Sequence, residues 1–132
     1  MESVPERYHD LLKDETRAFL FLATVMQDGS PQLTPVWFDS DGVHILVNTA
    51  EGRVKDRNMR SRPGVAMCIV DPKNSYRYLQ IRGRVVERIY EGADEHIDSL
   101  NHKYRGEPWQ FRAGQIRVIY KILPEKIDAR DA

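Results

Sequence analysis

Residues 43–70 read VHILVNTAEGRVKDRNMRSRPGVAMCIV. Two apolar runs, residues 43–48 and 65–70, bracket a polar stretch that holds five basic side chains, at positions 53, 55, 57, 60 and 62. The apolar runs are rich in branched residues and read as buried strands. Between them, residues 51–62 contain no proline and only Gly52, so a short helix is predicted, stopped by Pro63-Gly64. A helix start placed just after a strand presents free backbone amides and a positive dipole end, a setting suited to a phosphate. Arg53 and Lys55 stand near that start, with Arg57 and Asn58 behind them. Spacing alone leaves two readings open. One is an anion site. The other is a solvated helix face on which Asp56 pairs with Arg60 four residues on.

Working towards the N-terminus, Ser40-Asp41-Gly42 reads as a turn and residues 31–39 (PQLTPVWFD) as a strand. Its prolines limit regular pairing, so an edge position or a bulge is expected. This strand is expected to pair with residues 43–48. Backbone groups left unpaired around Thr34, Pro35, Val36 and Trp37 can meet the rim of a heterocycle, or merely mark an edge strand with a packed tryptophan. Residues 27–30 (QDGS) form a turn signal, and residues 18–26 (AFLFLATVM) a buried strand. Residues 4–13 place Tyr8, Leu11 and Leu12 on one side of a short amphipathic helix.

Towards the C-terminus, Asp71-Pro72-Lys73-Asn74 is a turn. Residues 76–89 alternate as one long strand, with a bulge expected at Gly83. Residues 91–104 carry Ala93, Ile97, Leu100 and Tyr104 at three- and four-residue steps, a helix. Residues 105–114 are a loop in which Trp109, Phe111 and Arg112 cap a ligand or an interface, or simply anchor the loop. Residues 115–122 (QIRVIYKI) close the sheet, and Leu123-Pro124 leads to a polar tail. Short strands joined by tight turns, without βαβ alternation, predict a mainly β (α+β) single domain over residues 1–132. Its expected form is an antiparallel sheet closed into a small barrel with short flanking helices.

Lysine plus arginine and aspartate plus glutamate number 20 each, so the formal net charge is zero. That balance argues against a nucleic-acid binder. The single cysteine, Cys68, permits no intrachain disulfide and fits a cytoplasmic setting. No basic start leads into an apolar run, so no signal peptide is expected, and the apolar runs are too short for a membrane span. His9, His44, His96 and His102 show no metal-ligand spacing. GxSxG, Walker and GxGxxG motifs are missing from the sequence. No residue is marked as acid, base or nucleophile, so any redox activity would depend on a bound cofactor.

Residues 30–70, 78–87 (YLQIRGRVVE) and 117–127 (RVIYKILPEKI) resemble the pyridoxamine 5′-phosphate oxidase-like superfamily. Within it they are most similar to the flavin and deazaflavin oxidoreductases of the FDOR-B branch, above all in GRVKDRNMRSRPGV and in Pro35-Val36-Trp37. The resemblance implies a split antiparallel β-barrel, FMN-binding-protein-like, that dimerises with itself and holds coenzyme F-420 or FMN at the dimer interface. It places the cofactor phosphate on Arg53, Lys55 and Asn58. It places the ring against Thr34, Pro35, Val36 and Trp37, and against Val47, Asn48 and Thr49. Tyr78, Gln80 and Trp109 are the contacts expected from a second subunit.

The implied activity is hydride transfer from reduced coenzyme F-420 to an electron-poor small molecule such as an enone, a quinone or a tetrapyrrole. An FMN-dependent reductase, a non-catalytic carrier of flavin, haem or bilin, and a ligand-free structural dimer are the alternatives. Oxidation of vitamin B6 is not expected. Residues 33–38 lack the Arg/Lys pattern of true pyridoxamine-phosphate oxidases, and the chain ends ILPEKIDARDA without their Arg/His-rich substrate segment.

Overall fold

The computed structural model describes residues 3–131. Seven strands form one antiparallel sheet in the order β2-β1-β5-β6-β7-β4-β3. They are β1 Phe19–Val25, β2 Pro31–Val36, β3 Phe38–Ser40, β4 Ile45–Ala50, β5 Gly64–Asp71, β6 Asn74–Ile89 and β7 Arg117–Asp131. Helix α1, Val54–Ser61, joins β4 to β5, and α2, Ala93–Arg105, joins β6 to β7.

Residues 31–39 do not form one strand. The chain breaks at Trp37, and β2 and β3 occupy opposite edges of the sheet. β2 pairs only with β1, placing Pro35 across from Phe21, whereas Phe38 lies across from Val47 of β4. The expected pairing of Thr34 to Trp37 with residues 43–48 is therefore corrected: only Phe38–Ser40 pairs there. This break forces closure. Seven flat strands would separate their edges by about 29 Å, at 4.8 Å per step. Val36 and Phe38 are two residues apart and so within about 7 Å. The sheet must curl until its edges meet, with no ladder between β2 and β3. The result is a split barrel. The prolines at 31 and 35 are tolerated because β2 is an edge.

Alternation fills the barrel. Leu20 and Leu22 of β1, Met67 and Ile69 of β5, Leu79 and Ile81 of β6, and Val118, Tyr120 and Ile122 of β7 are all buried. Two bulges lie in the β6–β7 ladder, at Arg82/Gly83 and Val85/Glu87. The first leaves Glu125 unpaired between Lys126 and Pro124, so the inward side of β7 passes from Val118, Tyr120 and Ile122 to Ile127 and Ala129. β7 therefore runs on to Asp131 where a polar tail was expected. Pro124 is accommodated because the ladder is already interrupted beside it.

Near the N-terminus, the short helix expected over residues 4–13 is a 3-10 helix, Glu6–Leu12. Tyr8 and Leu11, three residues apart, are buried, and three-residue bonds such as Tyr8 N–H to Pro5 O (2.9 Å) match that spacing.

Gly83 is the one glycine of the described residues at which an added Cβ has no room. A Cβ built there would stand 2.6 Å from the backbone oxygen of Leu123. Gly83→Ala is expected to lower stability by about 1–3 kcal/mol, the usual cost of overpacking. Urea unfolding checks this, and an unchanged midpoint would show that β7 can move aside freely.

Candidate functional site

The loop from β4 into α1 is fixed by one carboxylate. Gly52 turns the chain at φ 91°, and its N–H donates to Asp56 Oδ2 at 2.9 Å. Asp56 is fully buried and also accepts from the Tyr120 hydroxyl and from Arg88 Nε at 3.1 Å. Burial pushes its pKa upward, but bonds from Tyr120, Gly52 and Arg88 outweigh that and hold the carboxyl below its ordinary value. The surface pair Asp56–Arg60 is not formed; Asp56 turns inward to Arg88. Asn58 has an internal role as well. Its amide donates to Thr24 Oγ1 (3.0 Å) and meets Met26 Sδ, and its oxygen accepts from Arg62, which ties α1 to β1.

With α1 held this way, Arg53 and Lys55 face a cavity of about 360 Å3. Pro35, Val36 and Trp37 form one wall, Asn48 and Thr49 lie at the end of β4, and Ile97 and Leu100 of α2, Phe19, Trp109 and Arg117 complete it. Trp37 stacks on Tyr104 of α2 at 5.5 Å and meets Trp109 edge-on at 6.4 Å. Arg117 lies over the Trp109 ring at 5.2 Å.

The electrostatics are one-sided. Arg117 is only 5% exposed, yet neither it nor Arg53 or Lys55 forms an ion pair with a carboxylate among the described residues. Burial, then Arg53, lowers the pKa of Arg117 to about 10, with Asp94 opposing. Burial lowers that of Lys55, helped by Arg53 and Arg117. Two buried polar atoms in the wall, Thr49 Oγ1 and Trp109 Nε1, have no hydrogen-bond partner. Three clustered cations, apolar walls and two unused polar atoms suit a planar ligand that carries an anionic group.

Pro35, Val36, Trp37, Asn48, Thr49, Arg53, Lys55 and Trp109 are thus brought together around one cavity. Five other candidates lie elsewhere. Thr34 is half-buried on β2 with an unpartnered hydroxyl, Val47 is inside the barrel, and Asn58 is bonded internally. Tyr78 and Gln80 of β6 lie across from Val70 and Cys68 of β5, on the outer face that also carries Phe19 and Phe21. Trp109, expected from a second subunit, lies on the cavity of its own chain. Sequence reasoning missed Arg117, Ile97, Leu100 and Phe19. Arg117 stood in an alternating strand, where its polar character read as an outward position.

The sequence profile described as pyridoxamine 5′-phosphate oxidase matches residues 4–130. The chain belongs to the pyridoxamine 5′-phosphate oxidase family. It is therefore a member of the flavin-binding split-barrel superfamily. A solved F-420 reductase is 35% identical, covers 95% of this chain and 98% of its own, and superposes with a TM-score of 0.83. A conserved hypothetical protein from Mycobacterium tuberculosis, Rv2991, is 24% identical over 97% of this chain and 85% of its own, with a TM-score of 0.74. HutZ, the haem storage protein from Vibrio cholerae, is 16% identical over 94% of this chain and 92% of its own, with a TM-score of 0.65. These last two share the fold. No curated protein sequence matches the chain. Among the described residues, no helix is long and apolar enough to cross a membrane.

Two outcomes are expected of this family member. Asp56→Ala strands Arg88, Tyr120 and the Gly52 amide, and should cost about 3 kcal/mol or more. Because the carboxyl is held below its ordinary value, its contribution is full above the ordinary carboxylate range and lost as pH falls through the depressed one. The gap between wild type and variant, read by urea unfolding, should therefore close in acid.

The second outcome concerns the cations. The lowered values of Lys55 and Arg117 mean that the folded chain holds these two protons less tightly than the unfolded one, a cost present below pH about 10. A bound anion removes that cost. Inorganic phosphate at tenfold excess over its dissociation constant should stabilise the protein by about 1.4 kcal/mol. The gain should shrink as pH rises through about 10. An equal gain in an Arg53→Ala/Lys55→Ala variant would place the anion elsewhere.

Proposed function

We propose that this chain is an oxidoreductase that uses reduced coenzyme F-420 to reduce an electron-poor small molecule. The observation that carries the reading is the cluster of exposed Arg53, half-buried Lys55 and buried Arg117, none paired with a carboxylate, on the lining of an apolar cavity. The F-420 reductase at 35% identity supports the choice of cofactor. So does a second, open groove of about 770 Å3 lined by Arg57, Arg60 and Arg62, suited to the anionic glutamate tail that FMN lacks.

When bound, the deazaflavin supplies a hydride. The protein supplies binding, orientation and exclusion of water. Arg53, Lys55 and Arg117 grip the phosphate. Pro35, Val36 and Trp37 frame the ring on one side, and Ile97 and Leu100 close the cavity from α2. Thr49 Oγ1 and Trp109 Nε1 offer hydrogen bonds to its polar rim. Solvent provides the proton that completes reduction, so no side chain needs to act as an acid.

A second copy of the chain belongs to this reading. Phe19, Phe21 and Leu33 are exposed on β1 and β2 at 52%, 37% and 67%. Apolar side chains in such a patch mark an interface. A partner seated there would bring its Tyr78 and Gln80, which share that outer face, towards the cavity mouth.

Calorimetric titration with F-420, FMN and haem in parallel tests the reading. F-420 is expected to bind in the micromolar range or tighter, with FMN much weaker. Lys55→Ala should weaken F-420 by about 1.5–3 kcal/mol, the value of a charged hydrogen bond. Preference for FMN would move the protein to flavin chemistry, and binding without turnover of any acceptor would make it a carrier. No binding at all would return the cations to a purely structural role.

A further inference from the structure

Arg117 does not hold its position by pairing with a carboxylate. Its Nε donates to Asn48 Oδ1 at 2.8 Å, and Nη1 donates to Gln115 Oε1 at 3.2 Å. The Asn48 amide spends its two hydrogens on the backbone oxygen of Ala93 (2.9 Å) and on His96 Nδ1 (3.1 Å). The other ring nitrogen, His96 Nε2, meets Asp39 Oδ1 at 2.8 Å. The four side chains come from β3, β4, α2 and β7.

Hydrogen-bond chemistry fixes every direction in this chain. A flipped Asn48 amide would set its oxygen against the Ala93 carbonyl and its NH2 against the Arg117 Nε–H. The amide is therefore locked, and Nδ1 of His96 must accept. The proton then sits on Nε2 and is donated to Asp39. Asp39 is 24% exposed and His96 10%, so the chain runs from the solvent edge of β3 to the buried guanidinium. Arg117 is repelled by Arg53 and Lys55 and has no counter-ion inside. Without these bonds its long side chain has every electrostatic reason to leave the cavity.

We propose that His96 is a positioning residue, which acts through Asn48 to hold the Arg117 guanidinium at the anion end of the cavity, with Asp39 fixing the tautomer. This rests on reading the cavity as an anion-binding cofactor site. Asn48 is then a support for the site, both ends of its amide being already used.

Two measurements test it. Long-range 1H–15N correlation of the ring nitrogens of His96 should show the Nε2–H tautomer in the free protein; the Nδ1–H form would overturn the chain of bonds. A double-mutant cycle then reads the coupling, with affinity for inorganic phosphate measured by calorimetry. His96→Leu should weaken phosphate roughly 3- to 30-fold in the wild-type background and change it less than about twofold when Arg117→Ala is already present. His96→Asn, which keeps an acceptor near the Nδ1 position, should recover most of the loss, as a general packing defect would not. Additive effects, or failure of His96→Asn to recover affinity, would overturn the positioning role while leaving the anion site standing. A wild-type protein that binds neither phosphate nor F-420 would overturn the cofactor reading and this inference with it.

Discussion

The architecture turns on the break at Trp37. Consecutive stretches of chain supply the two edges of one sheet, so the sheet has no option but to curl. The same residue that interrupts the strand then becomes the cavity wall, stacked on Tyr104 and flanked by Trp109. Fold closure and site formation are one event. The gap that a fully laddered barrel would lack is the place where Pro35, Val36 and Trp37 meet the end of β4 and the start of α1.

A second constraint is electrostatic. Placing Arg53, Lys55 and Arg117 together costs the folded chain stability, and the surrounding structure is built to bear it. Asp56, deep in the barrel, secures the loop that carries Arg53 and Lys55 through Gly52, and spends its charge on Arg88 in place of a cavity cation. Asp39 is kept at a distance from Arg117 by two intervening side chains, His96 and Asn48. Negative charge is thus held close enough to organise the cations and too far away to neutralise them. That is the arrangement expected of a site whose counter-ion arrives from outside.

Much of this was legible in the sequence. Apolar runs rich in branched and aromatic residues located β1, β4 and β5, alternation located β6 and the start of β7, the Pro63-Gly64 stop located the end of α1, and Gly83 marked a bulge. The basic stretch pointed to the cavity through Arg53 and Lys55. Local pattern failed where the decision was non-local. Nothing within residues 31–39 says that its halves belong to opposite edges, because that depends on which strands are free to pair. Pro124 looked like a stop because its neighbours in the ladder were unknown. Arg117 and His96 were overlooked because an alternating strand and an amphipathic helix explain their polarity equally well as solvent-facing. Asn58, adjacent to basic residues, read as a ligand contact, yet its amide is consumed in joining α1 to β1. Tyr78 and Gln80 lie on an outer face of the sheet and are not among the residues that line the cavity.

Both tryptophans of the chain, Trp37 and Trp109, border the same cavity. The intrinsic emission of this protein is therefore a report from one place. A melting curve followed at tryptophan wavelengths would register loosening of the loop after α2, whether or not the sheet had begun to give way. It would part company with a curve taken from backbone circular dichroism. A preparation that carried an absorbing ligand from its host would look dim while fully folded, and would brighten as that ligand was dialysed away.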